Sequence, residues 1–185
     1  PTNDNFTNAQ DISALPFNVT ANITDAATES SEPQYCYSLN KTVWYSFTST
    51  ETIIVRAGTQ GSAISGSMNI YRAGTGISDL QFVGCATPGS STTFLAEAGQ
   101  TYLLQAGPAF GENGLLQINL SEVPTITGRI TDAVTGAPLP GNATPYARVT
   151  LQRVCGDGCL EYVNSQYADS EGLFLFDHYY GNPLP

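Results

Sequence analysis

The stretch TVWYSFTST, residues 42 to 50, alternates two kinds of side chain along a run rich in β-branched and aromatic residues. Val43, Tyr45 and Phe47 fall on one side, and the residues between them fall on the other. Successive side chains of a strand point to opposite faces of its sheet, so this pattern predicts a β-strand with one face turned to a core.

Six more segments of similar composition follow before residue 124. Ala-Gly closes four of the segments in this region, at Gly58, Gly74, Gly99 and Gly107. Glycine tolerates the positive φ of a tight turn, so the recurrence predicts turns between strands. Short strands at this spacing predict an all-β fold, a jelly roll or β-sandwich. The six segments are TIIVRAG, SMNIYRAG, LQFVGCA, TTFLAEAG, QTYLLQAG and GLLQINLSEV.

The charge balance excludes some classes of partner. Sixteen acidic residues stand against six basic ones, which gives a formal charge of −10. Such a surface repels phosphate backbones and anionic lipids, so we expect no nucleic-acid partner and no membrane-surface role. No run approaches the roughly 18 apolar residues of a membrane-spanning helix, so the sequence predicts no membrane span.

Residues 3 to 121 resemble a known extracellular module. The segments NDNFTNAQDISALPF, TVWYSFTST, GSMNIYRAGTGISDLQFVGCA and AEAGQTYLLQAG are similar to the bacterial pre-peptidase C-terminal domain. The resemblance implies a non-catalytic jelly-roll domain over residues 1–123. Some members of that family bind calcium through an N-terminal acidic stretch, where only Asn3 and Asp4 fit here. Calcium takes about six to eight oxygen ligands, so we predict no metal and no cofactor, with calcium as the one candidate.

A second module follows Pro124, which we expect to interrupt strand pairing. TGRITDAVTGAPLPGNATPYARVTL and ADSEGLFLFD resemble the carboxypeptidase regulatory-like domain, a small transthyretin-type β-sandwich. Residues 124–185 hold four segments that read as strands, near 127–132, 147–154, 159–167 and 173–179. The family has further terminal strands. The resemblance therefore implies a second, smaller sandwich of immunoglobulin or transthyretin type that is short of its terminal strands.

The four cysteines predict disulfides, because an even number in a turn-rich chain is typical of an oxidising, extracellular setting. Cys155 and Cys159 flank a glycine-containing hairpin tip and are expected to pair. By elimination Cys36 would pair with Cys85, although three connectivities exist. A zinc site at the hairpin is the less favoured reading, since it would need two further ligands.

Six Asn-x-Ser/Thr triplets are candidates for N-glycosylation. The alternative is that they only reflect the Thr-rich composition of strands. The candidates are Asn5, Asn18, Asn22, Asn40, Asn119 and Asn142.

Catalysis finds little support, and we predict that the chain is not an enzyme. His178 is the single histidine, and it lies in FDHYYG without the Gly-x-Ser-x-Gly context of a nucleophile. Asp169 and Glu171 stand in a glycine-containing turn, where carboxylates are ordinary turn residues.

Tyrosines are numerous enough to form an aromatic surface for sugars. Half-exposed strand tyrosines are the simpler explanation. The tyrosines considered are Tyr35, Tyr37, Tyr162, Tyr167, Tyr179 and Tyr180, and the last two are the ligand candidates.

These features predict an extracellular structural protein, a glycosylated subunit of a surface fibre or filament. A sandwich that lacks strands exposes unpaired backbone groups, so we expect a neighbour to complete it by donor-strand complementation. The expected donor is PTNDNFTNAQDISALPFNVT, residues 1–20, of another copy. The partners would be copies of the chain itself and glycans. The alternative is a pair of accessory substrate-binding or carbohydrate-binding modules from a larger secreted hydrolase.

Overall fold

A computed structural model describes residues 1–140, 147–154 and 160–176 of the 185-residue chain. The chain forms two compact units, Pro1–Val123 and Pro124–Pro185. The division falls at Pro124, and each unit is described by itself.

Unit 1 is a β-sandwich of nine strands. Its strands are β1 (Gln10–Ile12), β2 (Phe17–Asn22), β3 (Val43–Thr48), β4 (Ile53–Gly58), β5 (Gly66–Arg72), β6 (Gln81–Ala86), β7 (Ser91–Ala96), β8 (Thr101–Pro108) and β9 (Leu115–Glu122). One sheet has the order β1-β3-β8-β5-β6, and the other has the order β2-β9-β4-β7. The seven strands predicted after residue 41 are all present, and the all-β prediction is confirmed.

The core lies between the two sheets. Val43, Tyr45 and Phe47 turn inward from β3, as their alternation predicts, and are at most 5% exposed. Ile118 and Leu120 of β9 meet them from the opposite sheet. Each such buried side chain contributes about 1.5–3 kcal/mol relative to an exposed one.

The outer face of the five-stranded sheet is covered as well. Trp44 is fully buried there, and its ring meets Phe6 edge-on with centroids 5.3 Å apart. Tyr71 and Leu103 complete this second apolar cluster. The sequence pattern identified one buried face of β3, whereas the structure buries both at Trp44.

The N-terminal segment belongs to its own unit, which corrects its expected role as a donor to a neighbour. β1 pairs in parallel with β3, and β2 pairs in antiparallel fashion with β9 from Phe17 opposite Leu120 to Asn22 opposite Leu115. One side of each strand is therefore already hydrogen-bonded within the chain. β1 and β2 are edge strands of their sheets, so residues 10–12 and 17–22 would have to leave those sheets to be inserted between two strands of a neighbour.

The recurring Ala-Gly pairs have two different causes. Gly99 has a φ of +75°, which fits the predicted turn. Gly58 instead ends β4 against the neighbouring strand, where a Cβ would lie 2.4 Å from the carbonyl oxygen of Ser90. Gly107 lies inside β8, and a Cβ there would lie 3.0 Å from the carbonyl oxygen of Asn40. Close packing, and not turn formation, therefore explains the glycine at Gly58, and at Gly107 a methyl group would be tightly packed.

Unit 2 contains four strands in its described residues, one in each predicted segment, although the first ends at Arg129 and not near 132, and predicted positions 159 and 177–179 lie outside the described residues. The four strands are β10 (Ile126–Arg129), β11 (Arg148–Val154), β12 (Leu160–Tyr167) and β13 (Leu173–Phe176). β10 pairs with β13, and β11 pairs with β12, both in antiparallel fashion. Within the described residues, unit 2 therefore has two sheets of two strands each.

The turn before β13 is built as the sequence predicts. Asp169 accepts hydrogen bonds through Oδ1 from the backbone N–H groups of Glu171 and Leu173, at 2.8 and 2.9 Å. Gly172 has a φ of +75°. The carboxylate of Asp169 thus closes a turn, which is a common use of aspartate.

Two short 3₁₀ turns, Phe6–Asn8 and Ile77–Asp79, are the helical elements of the described chain. Within residues 1–140, 147–154 and 160–176, no helix has the length and apolar character that a bilayer crossing requires.

Replacing Gly58 with alanine is expected to destabilise unit 1 by about 1–3 kcal/mol, because the new methyl group must displace backbone atoms of the adjacent strand. Unfolding in guanidinium followed by fluorescence measures this, since Trp44 is the single tryptophan and is buried in unit 1.

Gly84→Ala is the matched control in β6. Its Cβ would meet nothing nearer than Thr92 Oγ1 at 4.0 Å, so the free energy of unfolding should be unchanged or slightly higher. Equal losses for the two variants would contradict the role given to close packing at Gly58.

Candidate functional site

A disulfide joins the long loop before β3 to an edge strand. Cys36 and Cys85 are bonded, with Cα atoms 6.5 Å apart, and this pairing is as predicted. Cys85 lies in β6, the edge of the five-stranded sheet. A cross-link across 49 residues removes unfolded-state entropy worth about 4 kcal/mol in the chain-entropy model. The bond also indicates folding in an oxidising compartment.

The loop anchored by this disulfide carries a buried carboxylate. Glu32 is 7% exposed and lies over the outer face of the five-stranded sheet. Its oxygens accept hydrogen bonds from Thr42 Oγ1 at 2.7 Å, Gln105 Nε2 at 2.8 Å and Trp44 Nε1 at 3.3 Å. Neutral donors therefore satisfy the buried carboxylate, and within residues 1–123 no cation is hydrogen-bonded to it.

A tyrosine extends the same network. The Tyr71 hydroxyl lies 2.9 Å from Gln105 Oε1 and 3.3 Å from the carbonyl oxygen of Pro33. Burial raises the pKa of this hydroxyl well above its usual range, so it stays protonated near neutral pH. The cluster of Glu32, Gln105 and Tyr71 therefore fixes the loop to the sheet and presents no activated nucleophile.

Aromatic rings surround the disulfide at the surface. Tyr35 is 54% exposed and stacks on Phe82 with centroids 4.4 Å apart and planes at 11°. Tyr37 meets Phe110 edge-on at 6.1 Å. Tyr35 and Tyr37 thus lie on either side of Cys36, and each is paired with another ring.

The two residues proposed for calcium hold the N-terminus in place. Asn3 is buried, and its Nδ2 donates to the carbonyl oxygen of Trp44 at 2.9 Å. Asp4 Oδ2 accepts a hydrogen bond from the backbone N–H of Ala27 at 3.3 Å. In the part of the chain that the structure describes, no group of three or more histidine, cysteine, aspartate or glutamate residues could hold a metal ion.

The N-glycosylation candidates differ in accessibility. Asn18 and Asn22 are exposed on β2, at the edge of the four-stranded sheet, and Asn40 is exposed in the loop before β3. Asn119 is half-buried, and its Nδ2 donates to the carbonyl oxygen of Gln60 at 2.8 Å. Asn5, also half-buried, precedes the first 3₁₀ turn.

Unit 2 contains an apolar cleft of about 700 Å³. The Phe174 ring lies against Gly128 of the paired strand, where a Cβ would come within 2.5 Å of the ring. Leu173 borders the cleft and is 44% exposed. The lining residues are Gly128, Arg129, Gln166, Tyr167, Asp169, Leu173 and Phe174.

Several predicted site residues lie outside the described residues, and the structure does not test them. They are Asn142, Cys155, Cys159, Tyr179 and Tyr180, and the single histidine, His178, also lies there. Tyr162 and Tyr167 are described, on β12.

No family model and no curated protein matches this chain. Nine solved chains are similar to it, among them PliG from Aeromonas hydrophila, a periplasmic inhibitor of g-type lysozyme. PliG is 10% identical with a TM-score of 0.41, and the match covers 62% of this chain and 95% of that one. A likeness of this size carries no inference about function.

Replacing Glu32 with glutamine is expected to destabilise unit 1 by about 1–3 kcal/mol, because the amide NH₂ would face donors that now bind carboxylate oxygens. Guanidinium unfolding followed by Trp44 fluorescence measures the change. Glu97→Gln is the control, since Glu97 forms an exposed ion pair with Arg72 at 2.7 Å and its loss should cost less than about 1 kcal/mol. A smaller loss for Glu32→Gln than for Glu97→Gln would refute the anchoring role.

Peptide mapping of the native protein by mass spectrometry should find glycans at Asn18, Asn22 and Asn40 more often than at Asn119. The reason is that a glycan would be attached to Asn119 Nδ2, and this atom already donates a hydrogen bond to the carbonyl oxygen of Gln60. Higher occupancy at Asn119 than at Asn18 would contradict this order.

Proposed function

We propose that this chain is a non-catalytic extracellular structural protein, the subunit of a surface fibre in which a strand from one copy completes the second unit of the next. The observation that carries the proposal is the apolar cleft of unit 2, which opens beside two sheets of two described strands each.

The physical argument begins with the small size of those sheets. An isolated two-stranded ribbon is marginally stable in water, and a third strand or a packed apolar face is needed for stability. The exposed edges of such a pair also present unpaired N–H and C=O groups. A strand placed along the β10 and β13 pair would satisfy backbone groups and cover Leu173, and both effects favour association.

The occupant we propose is an extended segment of a second copy. β1, β2 and β6 are all edge strands of unit 1 that already pair on one side. β6 is the donor we favour, because Phe82 and Val83 are 39% and 40% exposed there. A contact from unit 1 of one copy to unit 2 of the next is head-to-tail and does not close on itself, so repetition gives a filament.

Other features support the extracellular and non-catalytic parts of the proposal. The bond between Cys36 and Cys85 fits secretion, and exposed sequons at Asn18 and Asn22 fit glycosylation. The buried side chains of Glu32, Gln105 and Thr42 in unit 1 hold a loop to the sheet. The alternative function, a pair of accessory binding modules from a larger secreted hydrolase, remains a prediction from the sequence.

Replacing Leu173 with glutamate tests the assembly. The side chain is exposed enough to be replaced without unfolding unit 2, yet a strand laid on the cleft would bury the new charge. We expect at least a tenfold loss of polymer, measured by sedimentation velocity and negative-stain electron microscopy.

Leu95→Glu is the matched control, because Leu95 is 55% exposed on β7 of unit 1 and is not among the residues that line the cleft. It should polymerise as the parent does. A parent protein that stays monomeric at every concentration, or a Leu173→Glu variant that still forms filaments, would refute the proposed function.

A further inference from the structure

The hairpin of β11 and β12 contains a one-residue irregularity that rearranges its outer face. Leu151 is opposite Asn164, but the next residue, Gln152, is opposite Tyr162. Val163 is therefore an extra residue in the ladder, as in a β-bulge. Beyond it the pairing is regular, with Arg148 opposite Tyr167.

This bulge brings two tyrosines to the same face. Tyr162 and Tyr167 are five positions apart, and strict alternation would place them on opposite faces. Cross-strand partners share a face, however, and Arg148 and Gln152 are four positions apart on β11. Tyr162 and Tyr167 therefore lie on one side, together with Ser165, which is opposite Thr150.

Side-chain contacts agree with this placement. The Tyr162 hydroxyl lies 3.1 Å from Ser165 Oγ, and Ser165 Oγ accepts a hydrogen bond from Arg148 Nη2. The Arg148 guanidinium lies over the Tyr167 ring, 5.9 Å from its centroid. Tyr162, Ser165, Arg148 and Tyr167 thus form one connected group, which we call the tyrosine face.

The tyrosine face is turned to solvent. Tyr162 is 62% exposed and Tyr167 is 59% exposed. On the other side of the hairpin Val149 and Leu151 are half-buried. The two rings are therefore not part of the packing beneath the hairpin.

We propose that the tyrosine face binds a neutral polysaccharide chain. The apolar C–H face of a pyranose can stack on each ring, while its hydroxyls can bond to the polar groups between the rings. The Arg148 guanidinium donates a hydrogen bond to Ser165, and a guanidinium carries five N–H groups in all. Thr150 and Gln152 are exposed on the same face and add donors and acceptors.

Two further points define the ligand. Arg148 and Gln152, the residues opposite Tyr167 and Tyr162, are four positions apart, which is about 13 Å along a strand. This distance suits a chain of sugars and exceeds the width of a single sugar ring. The net charge of −10 disfavours the binding of a polyanion. The positive charge of Arg148 is already engaged over the Tyr167 ring, so it is poorly placed to pair with an anionic sugar. A neutral glycan is therefore favoured over a uronate polymer.

The test measures binding of the whole chain to insoluble cellulose, chitin and β-1,3-glucan, with alginate and polygalacturonate as anionic arms. Tyr162→Ala should weaken binding to a neutral polysaccharide about tenfold, because one ring contributes about 1.4 kcal/mol. Tyr162→Phe should keep most of the affinity, since the ring remains. Tyr35→Ala removes a similarly exposed tyrosine from unit 1 and should have no effect.

Four results would overturn the proposal: no binding to any neutral polysaccharide, binding to the anionic arms alone, full affinity for Tyr162→Ala, or an equal loss for Tyr35→Ala. The site does not rest on the proposed filament. Leu173→Glu, which should reduce the amount of polymer at least tenfold, is expected to bind the same polysaccharide as the parent does.

Discussion

Burial of both faces of β3 is the constraint on which unit 1 depends. Val43, Tyr45 and Phe47 fill the space between the sheets, and Trp44 on the other face requires a cover of its own. That cover is made by the chain around Phe6 and by the loop that carries Glu32, which the disulfide holds in place. Because the cover and its anchors come from the same chain, unit 1 buries both faces of β3 by itself, and its N-terminal strands β1 and β2 already pair within it.

Unit 2 differs in the size of its sheets. Within the described residues, each has two strands, and the cleft beside Leu173 and Phe174 is apolar. The proposals for this unit use two surfaces that overlap only at Tyr167. The cleft would bind backbone and apolar side chains of another copy, whereas the tyrosine face would bind a sugar chain through flat rings and hydroxyl contacts. A fibre subunit with both surfaces could be joined to its neighbours and held to a polysaccharide matrix at the same time.

Much of the fold could be predicted from local pattern. Seven strands of unit 1 and four of unit 2 follow from alternation and turn residues. The cysteine count predicts disulfides, and the bond between Cys36 and Cys85 follows by elimination from three connectivities. β2 was missed as part of the sandwich although Phe17, Val19 and Ala21 alternate with polar residues, because pairing over almost 100 positions leaves no local sign. The hydrogen-bond partners of Glu32 could not be predicted from the sequence either, because a single glutamate in a loop does not indicate burial.

The sequence contains the tyrosines of β12 but does not indicate the side on which they lie, because nothing local marks the extra residue at Val163. That single position has a consequence for how such a hairpin could diverge among related chains. Loss of Val163 would make the pairing regular and would leave Tyr162 and Tyr167 four positions apart, still on one face, while the turns and the pairing of the flanking strands could stay as they are. Related chains that differ in length by one residue at this position could therefore present the same pair of rings.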